Sequence, residues 1–247
     1  MKINKESSVY TFSFAIVLVV IVGSILAMLA MGLKPRQDRN GEIKKQLDIL
    51  SAMLNLDSLG IDRSNVEVEF AKYFSKEGSL VFNNSSEKVD DVNAFRVDIK
   101  KEFKDKTLDE KDRNYPLFVA EMNGKKKYII PVVGKGLWGP IWGNICIGSD
   151  LSTIEGASFG HKGETPGLGA EIKQQFFIDR WIGEKITNEN GDFLKFEVVK
   201  DGSGSNIESK VDGITGGTIT SKGVEEMINR CVEVYIPYFN KLNNTLK

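Results

Sequence analysis

The chain has 247 residues, of which 27% are charged and 41% hydrophobic, so it is long enough for one or two domains with a substantial core. Its 33 basic residues nearly balance its 34 acidic residues, which leaves no excess of positive charge for binding nucleic acid. One histidine, His161, and two cysteines, Cys146 and Cys231, are too few for a cysteine-ligated zinc or iron–sulfur site. Composition therefore excludes most metalloenzymes and leaves one candidate base for a Ser-His hydrolase.

An uncharged segment occupies residues 10–33. As a helix it would be about 36 Å long, which exceeds the roughly 30 Å hydrocarbon core of a bilayer. A cleaved signal peptide has a shorter apolar region that ends at an A-x-A-like site, and the spacing of Ala27 and Ala30 does not match such a site. The sequence therefore predicts a short N-terminal segment over residues 1–9 and a permanent single-pass transmembrane helix over residues 10–33.

Basic residues flank the predicted span on both sides. Lys2 and Lys5 precede it, and Lys34, Arg36 and Arg39 follow it. Because cytoplasmic flanks carry the excess of Lys and Arg, this count slightly favours a cytoplasmic location for the rest of the chain, although long domains cross membranes largely regardless of such charges. The span itself has no ionisable side chain, so we do not expect it to carry ions on its own.

Residues 34–114 are expected to form a juxtamembrane helix and the N-terminal part of a soluble domain. The charge-rich segment 67–112 within them has no pattern that decides its structure. In residues 34–56, apolar side chains recur at helical spacing and predict an amphipathic helix that packs on the domain. These side chains are Ile43, Leu47, Leu50 and Leu54.

Residues 115–247 contain strand and helix patterns in mixed order. Two apolar runs are joined by Asn123-Gly124, which supplies the positive φ angles of a type I′ hairpin turn. Further strands are expected at 142–148, after Asp150 and at 192–199, with a loop at 201–206. Without a regular βαβ alternation, the fold class is α+β, in which the transmembrane helix precedes one mixed α+β domain.

Two helices are expected in this domain. The first covers residues 170–183 and places Ile172, Phe176 and Trp181 near one face. The second is an amphipathic helix that starts at Lys222 and ends the domain. Its apolar face consists of Val224, Met227, Ile228, Cys231, Tyr235 and Tyr238. On this face a buried thiol is the expected state of Cys231.

The spacing Gly134-x-Gly136-x-x-Gly139 matches the dinucleotide fingerprint GxGxxG in form. That fingerprint works only where a helix begins at its end and offers free N–H groups to a pyrophosphate. The residues after Pro140 have the pattern of a turn and a strand, so a dinucleotide site is not expected here.

A glycine-rich segment over residues 212–221 is a better candidate for binding a phosphate. Gly216 and Gly217 let the backbone approach an anion closely, and Thr220 or Ser221 is expected to cap the following helix. The hydroxyl of Thr218 would lie within this cradle and could serve as a point of phosphate attachment. Taken alone, the segment favours an ordinary helix-capping turn, because such glycine-rich turns are common.

The segment 161–169 is a third candidate. Pro166-Gly167 predicts a turn, after which Leu168 projects from a glycine-flanked backbone and could pack against a flat ring, while Glu164 and Thr165 add polar groups. The alternative is an ordinary loop before the helix at 170–183, and on that interpretation His161 is a loop residue and not a catalytic base.

These clusters, in this order behind one membrane helix, resemble the FMN-binding domain family, and within it the C subunits of the Na+-translocating NADH:quinone oxidoreductase. The flavinylation motif of that family reads D-x-x-[ST]-G-[AS]-[ST]-x-[ST]. The matching residues are Asp212, Thr215, Gly216, Thr218 and Thr220. Gly217 departs from the motif, where alanine or serine is usual.

The resemblance implies an FMN covalently attached to Thr218 through a phosphoester bond. It also implies a cofactor-binding role for two further elements, Gly136-Leu137-Trp138 and the run Glu164, Thr165, Gly167, Leu168 and Gly169. In this arrangement Leu168 and Trp138 would pack on the flavin, and Thr165 would donate a hydrogen bond to it. No catalytic or metal-binding residue is expected, because the cofactor would supply the redox chemistry.

The family further implies a one-electron relay within a membrane complex, between a neighbouring iron–sulfur centre and the next flavin on the route to quinone. The expected partners are the other subunits, which move Na+, and a flavin transferase during maturation. Family topology places the domain on the periplasmic side of the inner membrane, against the count of flanking charges, and we follow the family.

The alternatives are the G subunit of an Rnf complex, which the Gly136-Leu137-Trp138 element disfavours, and a membrane-tethered binding module without a flavin, which the departure at Gly217 keeps open.

Overall fold

The computed structural model describes residues 7–200, 202–204 and 207–246. Residues 1–6 of the predicted N-terminal segment, and residues 201, 205 and 206 of the predicted loop, lie outside this range. The chain divides into two compact units, the first ending at Lys45 and the second beginning at Gln46.

Helix α1 (Ser8–Leu50) contains the predicted apolar segment. Among the described residues it is the one helix that is long and apolar enough to cross a membrane. The helix expected over residues 34–56 forms the last part of α1, which continues without a break from the apolar segment and ends at Leu50, so that Leu54 lies beyond it. Pro35 lies inside this helix and does not end it.

Five antiparallel strands form a meander in the order β1-β2-β3-β4-β5. They are β1 (Phe74–Phe82), β2 (Tyr115–Met122), β3 (Lys125–Lys135), β4 (Pro140–Ile147) and β5 (Ile154–His161). The predicted hairpin is confirmed, because Asn123 and Gly124 join β2 to β3 with φ angles of 53° and 74°. The short helix α2 (Leu56–Leu59) precedes the charge-rich segment. That segment forms β1, nearly all of α3 (Val66–Tyr73), α4 (Ile99–Lys104) and a 3-10 turn (Glu110–Asp112).

Both faces of the sheet are buried. On one face, alternate residues such as Ile130, Ile145 and Ala157 join the main hydrophobic core. On the other face, Asn144 and Ser158 donate hydrogen bonds to the carbonyl of Asp48 in the last turns of α1, at 3.0 Å each. The sheet is therefore a middle layer whose strand ends and connecting turns remain available for a site.

The prediction of one continuous helix over residues 170–183 is wrong. The segment forms a 3-10 helix (Gly169–Lys173), then α5 (Gln175–Ile178) and another 3-10 turn (Asp179–Trp181). Gln174 is extended, with ψ 147°, and interrupts the helical periodicity between Ile172 and the residues that follow. As a result Phe177 is buried beside Trp181, and Phe176, the predicted core residue, is exposed.

The remaining elements are two short parallel strands, β6 (Glu197–Val199) and β7 (Lys210–Asp212), and two helices, α6 (Thr218–Glu233) and α7 (Ile236–Leu246). The strand predicted over 192–199 is therefore limited to its last three residues. The predicted apolar face of the terminal helix is confirmed, although the chain bends between α6 and α7 and Tyr238 is only half-buried.

Helix α6 packs closely on β3. An added Cβ at Gly134 would lie 2.6 Å from the Cβ of Met227, so only glycine allows this approach. The strand β4 begins at Pro140 where a dinucleotide fingerprint would require a helix, which confirms that Gly134, Gly136 and Gly139 serve a different purpose. Gly134 is a packing residue, and Gly136 and Gly139 belong to the turn between β3 and β4.

The two cysteines are free thiols and both are buried. Burial raises the pKa of the Cys146 thiol to about 12 and also raises the pKa of Cys231. The expectation of a buried thiol at Cys231 is confirmed.

Candidate functional site

The predicted site residues lie on three turns or at the ends of the elements that these turns join. The first joins β3 to β4, the second follows β5, and the third joins β7 to α6. Side chains and backbone groups of residues 164–168 contact both of the other turns, so the three turns form one site.

The β3–β4 turn presents two apolar side chains. The N–H of Gly136 donates to the carbonyl of Gly139 at 2.8 Å and closes the turn. Between them, Leu137 is 48% exposed and Trp138 is 69% exposed. Large apolar side chains at such exposure, side by side, are available to contact a ligand or a partner.

The turn after β5 is formed as its sequence predicts. The N–H of Leu168 donates to the carbonyl of Thr165 at 3.1 Å, with Pro166 and Gly167 between them. Gly167 has a φ of 77°, which suits the third position of a type II turn. Thr165 is exposed, and Leu168 remains 42% exposed although the residue after it is buried.

The third turn leads from β7 into α6. The N–H of Gly217 donates to the carbonyl of Ile214 at 2.9 Å, Thr215 is exposed, and Gly216 has a φ of 74°. Gly217 is the N-cap residue of α6, and Thr218 is the first residue of the helix. The helix thus starts inside the motif and not after it.

The prediction that Thr220 or Ser221 caps this helix is wrong, since both lie in its first turn and are buried. The Ser221 hydroxyl donates to the carbonyl of Gly217 and accepts from the N–H of Ile214, at 3.0 Å each. Ser221 therefore ties the turn to the helix from within. Gly217 can occupy the cap position without a side-chain oxygen because glycine is tolerated there.

Three amide N–H groups point out of the start of α6. In the described part of the chain, the N–H groups of Thr218, Ile219 and Thr220 donate to no protein acceptor. Such groups form the positive end of a helix and favour an anion. Thr218 is half-buried beside them, and Ile219 is 62% exposed.

Leu168 brings the second and third turns together. An added Cβ at Gly216 would lie 2.6 Å from the Cδ2 of Leu168, and one at Gly217 would lie 3.0 Å from its carbonyl carbon and oxygen. The absence of side chains at these two positions therefore permits the close approach of the 165–168 turn to the start of α6.

Glu164 brings all three turns together. Its carboxylate is buried, accepts from the N–H of Trp138 at 2.8 Å and accepts from the hydroxyl of Thr220 at 2.5 Å. Gly169 lies against both Glu164 and Thr220. His161 is the last residue of β5 and not a loop residue, and its Nδ1 accepts from the N–H of Glu164 at 3.1 Å.

Asp212 is the last residue of β7 and directly precedes the third turn. Its Oδ1 accepts from the N–H of Gly204 at 3.0 Å. The guanidinium of Arg180 donates to the carbonyls of Asp212 and Gly213, at 2.7 and 3.0 Å. Sequence reasoning missed Arg180, because a charged residue in a predicted helix gives no signal of a contact with a distant backbone.

Within the described residues, no group of three or more His, Cys, Asp or Glu side chains is placed to hold a metal ion. The chemistry that the site offers is that of one half-buried threonine hydroxyl, free helix amides and exposed apolar side chains. This combination suits a phosphate ester that carries a flat ring.

Comparison with known proteins agrees with this geometry. A family model described as FMN-binding domain matches residues 136–233, which include all three turns. The C subunit of the Na(+)-translocating NADH-quinone reductase of Haemophilus ducreyi is 30% identical over 237 residues, covering 91% of this chain and 89% of the relative. The C subunit of the same reductase in Pseudomonas aeruginosa is also 30% identical, with 92% of each chain covered.

Solved structures give the same result. The C subunit from Parabacteroides distasonis superimposes with a TM-score of 0.72 at 38% identity, covering 84% of this chain and 96% of that one. NqrC from Shewanella oneidensis superimposes with a TM-score of 0.66 at 26% identity, covering 82% of this chain and 98% of that one. Both the predicted resemblance and the predicted fold class, an apolar N-terminal helix followed by an α+β domain, are thus confirmed. The chain belongs to the family of C subunits of the Na+-translocating NADH-quinone reductases, which are oxidoreductase complexes.

Proposed function

We propose that this chain is the electron-relay subunit of a Na+-translocating NADH:quinone oxidoreductase and that it holds FMN through a phosphoester bond to Thr218. The observation that carries the proposal is the place of Thr218, the first residue of α6, next to three amide N–H groups without protein acceptors in the described chain. A phosphate on this hydroxyl would meet the positive end of the helix.

Attachment forms one bond and breaks another. The Thr218 oxygen forms a P–O bond to the flavin phosphate and gives up its proton, and the donor must lose a leaving group. FAD is a donor of this class, since breaking its pyrophosphate bond releases AMP. A flavin transferase would catalyse this step during maturation.

The exposed side chains of the first two turns suit the rest of the cofactor. Leu168 and Trp138 expose apolar surface that can pack on the flavin ring, and Leu137 extends this surface along the β3–β4 turn. The exposed Thr165 hydroxyl can donate a hydrogen bond to the ring. FMN supplies the electron-transfer chemistry, and the protein residues supply attachment, orientation and partial exclusion of water.

The proposed domain arrangement follows from the sequence and α1. Residues 10–33 cross the inner membrane, residues 34–114 form the connecting helix and first part of the soluble domain, and residues 115–247 form the FMN-binding domain. We place this domain on the periplasmic side, where a covalent bond keeps the flavin from being lost to the medium. Partner subunits would exchange electrons with it and move Na+, since residues 10–33 have no charged side chain.

The test is in-gel fluorescence of the full chain, expressed in membranes together with a flavin transferase. After denaturation, the wild-type band should retain flavin fluorescence, Thr218→Val should abolish it, and Thr215→Val should leave part of it. Mass spectrometry of the peptide that contains Thr218 should show the FMN adduct. A wild-type band without flavin would favour a tethered binding module, and equal fluorescence in both variants would show that the attachment site is elsewhere.

A further inference from the structure

Glu164 is 4% exposed, yet its carboxylate belongs to a loop at the edge of the site. Burial of a charged group is costly unless hydrogen bonds replace its water. Here Oε1 accepts from the N–H of Trp138 at 2.8 Å, and Oε2 accepts from the Thr220 hydroxyl at 2.5 Å. Each oxygen thus has one donor, and one donor belongs to the β3–β4 turn while the other belongs to the start of α6.

Two glycines make room for this carboxylate. An added Cβ at Gly136 would lie 2.6 Å from Oε1, and one at Gly169 would lie 2.6 Å from Oε2. Both distances are shorter than side-chain contacts allow. By contrast, an added Cβ at Gly163 or Gly139 would meet nothing closer than 3.8 Å. The space around Glu164 is therefore shaped to one carboxylate in one position.

The contacts of Glu164 connect the parts of the proposed cofactor site. Thr220 lies two residues after Thr218 on α6, and Trp138 carries the exposed indole of the β3–β4 turn. Leu168 follows Glu164 in the same loop. A shift of the carboxylate would therefore change the distance between the proposed acceptor hydroxyl and the apolar side chains that would receive the ring.

We propose that Glu164 is a positioning residue for flavin attachment, which holds Thr218 in register with Trp138 and Leu168 through the Thr220 hydroxyl and the Trp138 amide. This inference rests on the proposed attachment at Thr218. Glu164 does not contact the Thr218 hydroxyl and acts through its two donors. Its negative charge is compatible with the first turn of α6, where acidic groups are favourable.

A carboxylate is needed in place of an amide because both of its oxygens accept. Glutamine would present one oxygen and one NH2 group, so either the Trp138 amide or the Thr220 hydroxyl would lose its acceptor in the present geometry. Valine at position 220 keeps the shape of threonine and removes the donor. Glu164→Gln therefore removes an acceptor from this arrangement, and Thr220→Val removes a donor.

The experiment measures the rate of FMN transfer from FAD to the purified full chain in detergent, with the flavin transferase and with acceptor concentration varied. We expect Glu164→Gln and Thr220→Val each to lower the rate at saturating acceptor at least tenfold, while the KM for the acceptor chain changes less than twofold. Thr220→Ser should recover most of the rate lost in Thr220→Val, because it restores the hydroxyl.

The double variant separates a shared effect from two independent ones. If Glu164 acts through Thr220, Glu164→Gln combined with Thr220→Val should lose no more rate than the more severe single variant. Losses that multiply, or a KM that rises while the saturated rate is unchanged, would overturn the proposal. Wild-type rates in both single variants would overturn it as well.

A glycine pair tests the same contact without altering any polar group. Gly169→Ala places a methyl group against both the Thr220 hydroxyl and the Glu164 carboxylate, whereas Gly163→Ala, in the same loop, places one in open space. Gly169→Ala should slow transfer and shift the tryptophan emission of the unlabelled chain, and Gly163→Ala should do neither. Equal behaviour of the pair would count against the proposal. Absence of label on the wild-type chain would instead refute the attachment at Thr218, so the two failures are distinguishable.

Discussion

Gly217 lies so close to Leu168 that an added Cβ would be 3.0 Å from the carbonyl carbon and oxygen of Leu168. Alanine or serine is usual at this position of the motif that the chain resembles. In this chain the 165–168 turn has taken up the space that such a side chain would need. The glycine at position 217 therefore goes together with the close position of Leu168. Having no side chain, Gly217 does not obstruct the backbone next to Thr218.

The two adjacent glycines should respond differently to alanine. Gly217 has a φ of −108°, which alanine adopts without strain, so Gly217→Ala requires only a shift of a few tenths of an ångström in the exposed turn. Gly216 has a φ of 74°, where alanine is strained, and its Cβ would also meet the Leu168 side chain. We expect Gly216→Ala to lower the free energy of unfolding by about 1 kcal/mol or more and Gly217→Ala by less than about 1 kcal/mol. Urea unfolding of the full chain in detergent measures both, and the reverse order would contradict this account.

Arg180 should stabilise the start of the third turn. Its guanidinium donates to the carbonyls of Asp212 and Gly213, and hydrogen bonds from charged groups contribute about 1.5–3 kcal/mol. Arg180→Ala should therefore lower the free energy of unfolding by about 2 kcal/mol and slow flavin transfer to Thr218. Lys173→Ala, an exposed position in the same segment, is the control and should stay within about 0.5 kcal/mol of wild type. Identical unfolding curves for the two variants would show that the Arg180 contacts contribute nothing.

Trp138 should matter for the cofactor and not for folding. Its indole is 69% exposed, and only its backbone N–H takes part in the Glu164 contact. Trp138→Ala should therefore change the free energy of unfolding by no more than about 0.5 kcal/mol. In the labelled chain it should alter flavin fluorescence, because an aromatic neighbour of the ring would be lost. A flavin spectrum identical to wild type would place Trp138 away from the ring.

Local signals explain which parts of the fold are predictable. Asn123-Gly124 determines a hairpin because those two residues themselves adopt the required φ angles. The apolar spacing from Val224 to Cys231 likewise identifies the buried face of α6. In contrast, the apolar pattern does not reveal the break at Gln174. Phe176 and Phe177 fit the spacing of a helical apolar face about equally well, and only packing beside Trp181 determines that Phe177 is the buried one.

The site shows the same division. The glycines and hydroxyls of residues 212–220 are visible as a motif, because they are adjacent in sequence. The role of Glu164 is not visible, because its donors Trp138 and Thr220 are 26 and 56 residues away in sequence. The role of Arg180 is not visible either. Its acceptors are distant in sequence, and they are backbone carbonyl groups, which every residue has. The sequence thus indicates which residues form the site, and the fold determines how they are held.

Cys146 should make the stability of the domain sensitive to alkaline pH. Burial on β4 raises the pKa of its thiol from 9.0 to about 12 in the folded chain, whereas unfolding returns it to the ordinary value. Below pH 9 the thiol is protonated in both states and its pKa shift has no effect. Between pH 9 and pH 12 the unfolded chain releases a proton that the folded chain keeps, so the free energy of unfolding falls by up to about 1.4 kcal/mol per pH unit.

Urea unfolding at pH 8, 9 and 10 tests this dependence with Cys146→Ala as the comparison. The variant should be less stable at every pH, because it leaves a small cavity, but its loss between pH 9 and pH 10 should be smaller than that of the wild type by about 1 kcal/mol. Buried neutral thiols are also poor nucleophiles, so neither Cys146 nor Cys231 should react with a thiol reagent at pH 8 until urea unfolds the domain. Equal alkaline losses in the two proteins, or rapid labelling of the folded chain, would show that Cys146 is not held in the neutral, buried state that β4 gives it.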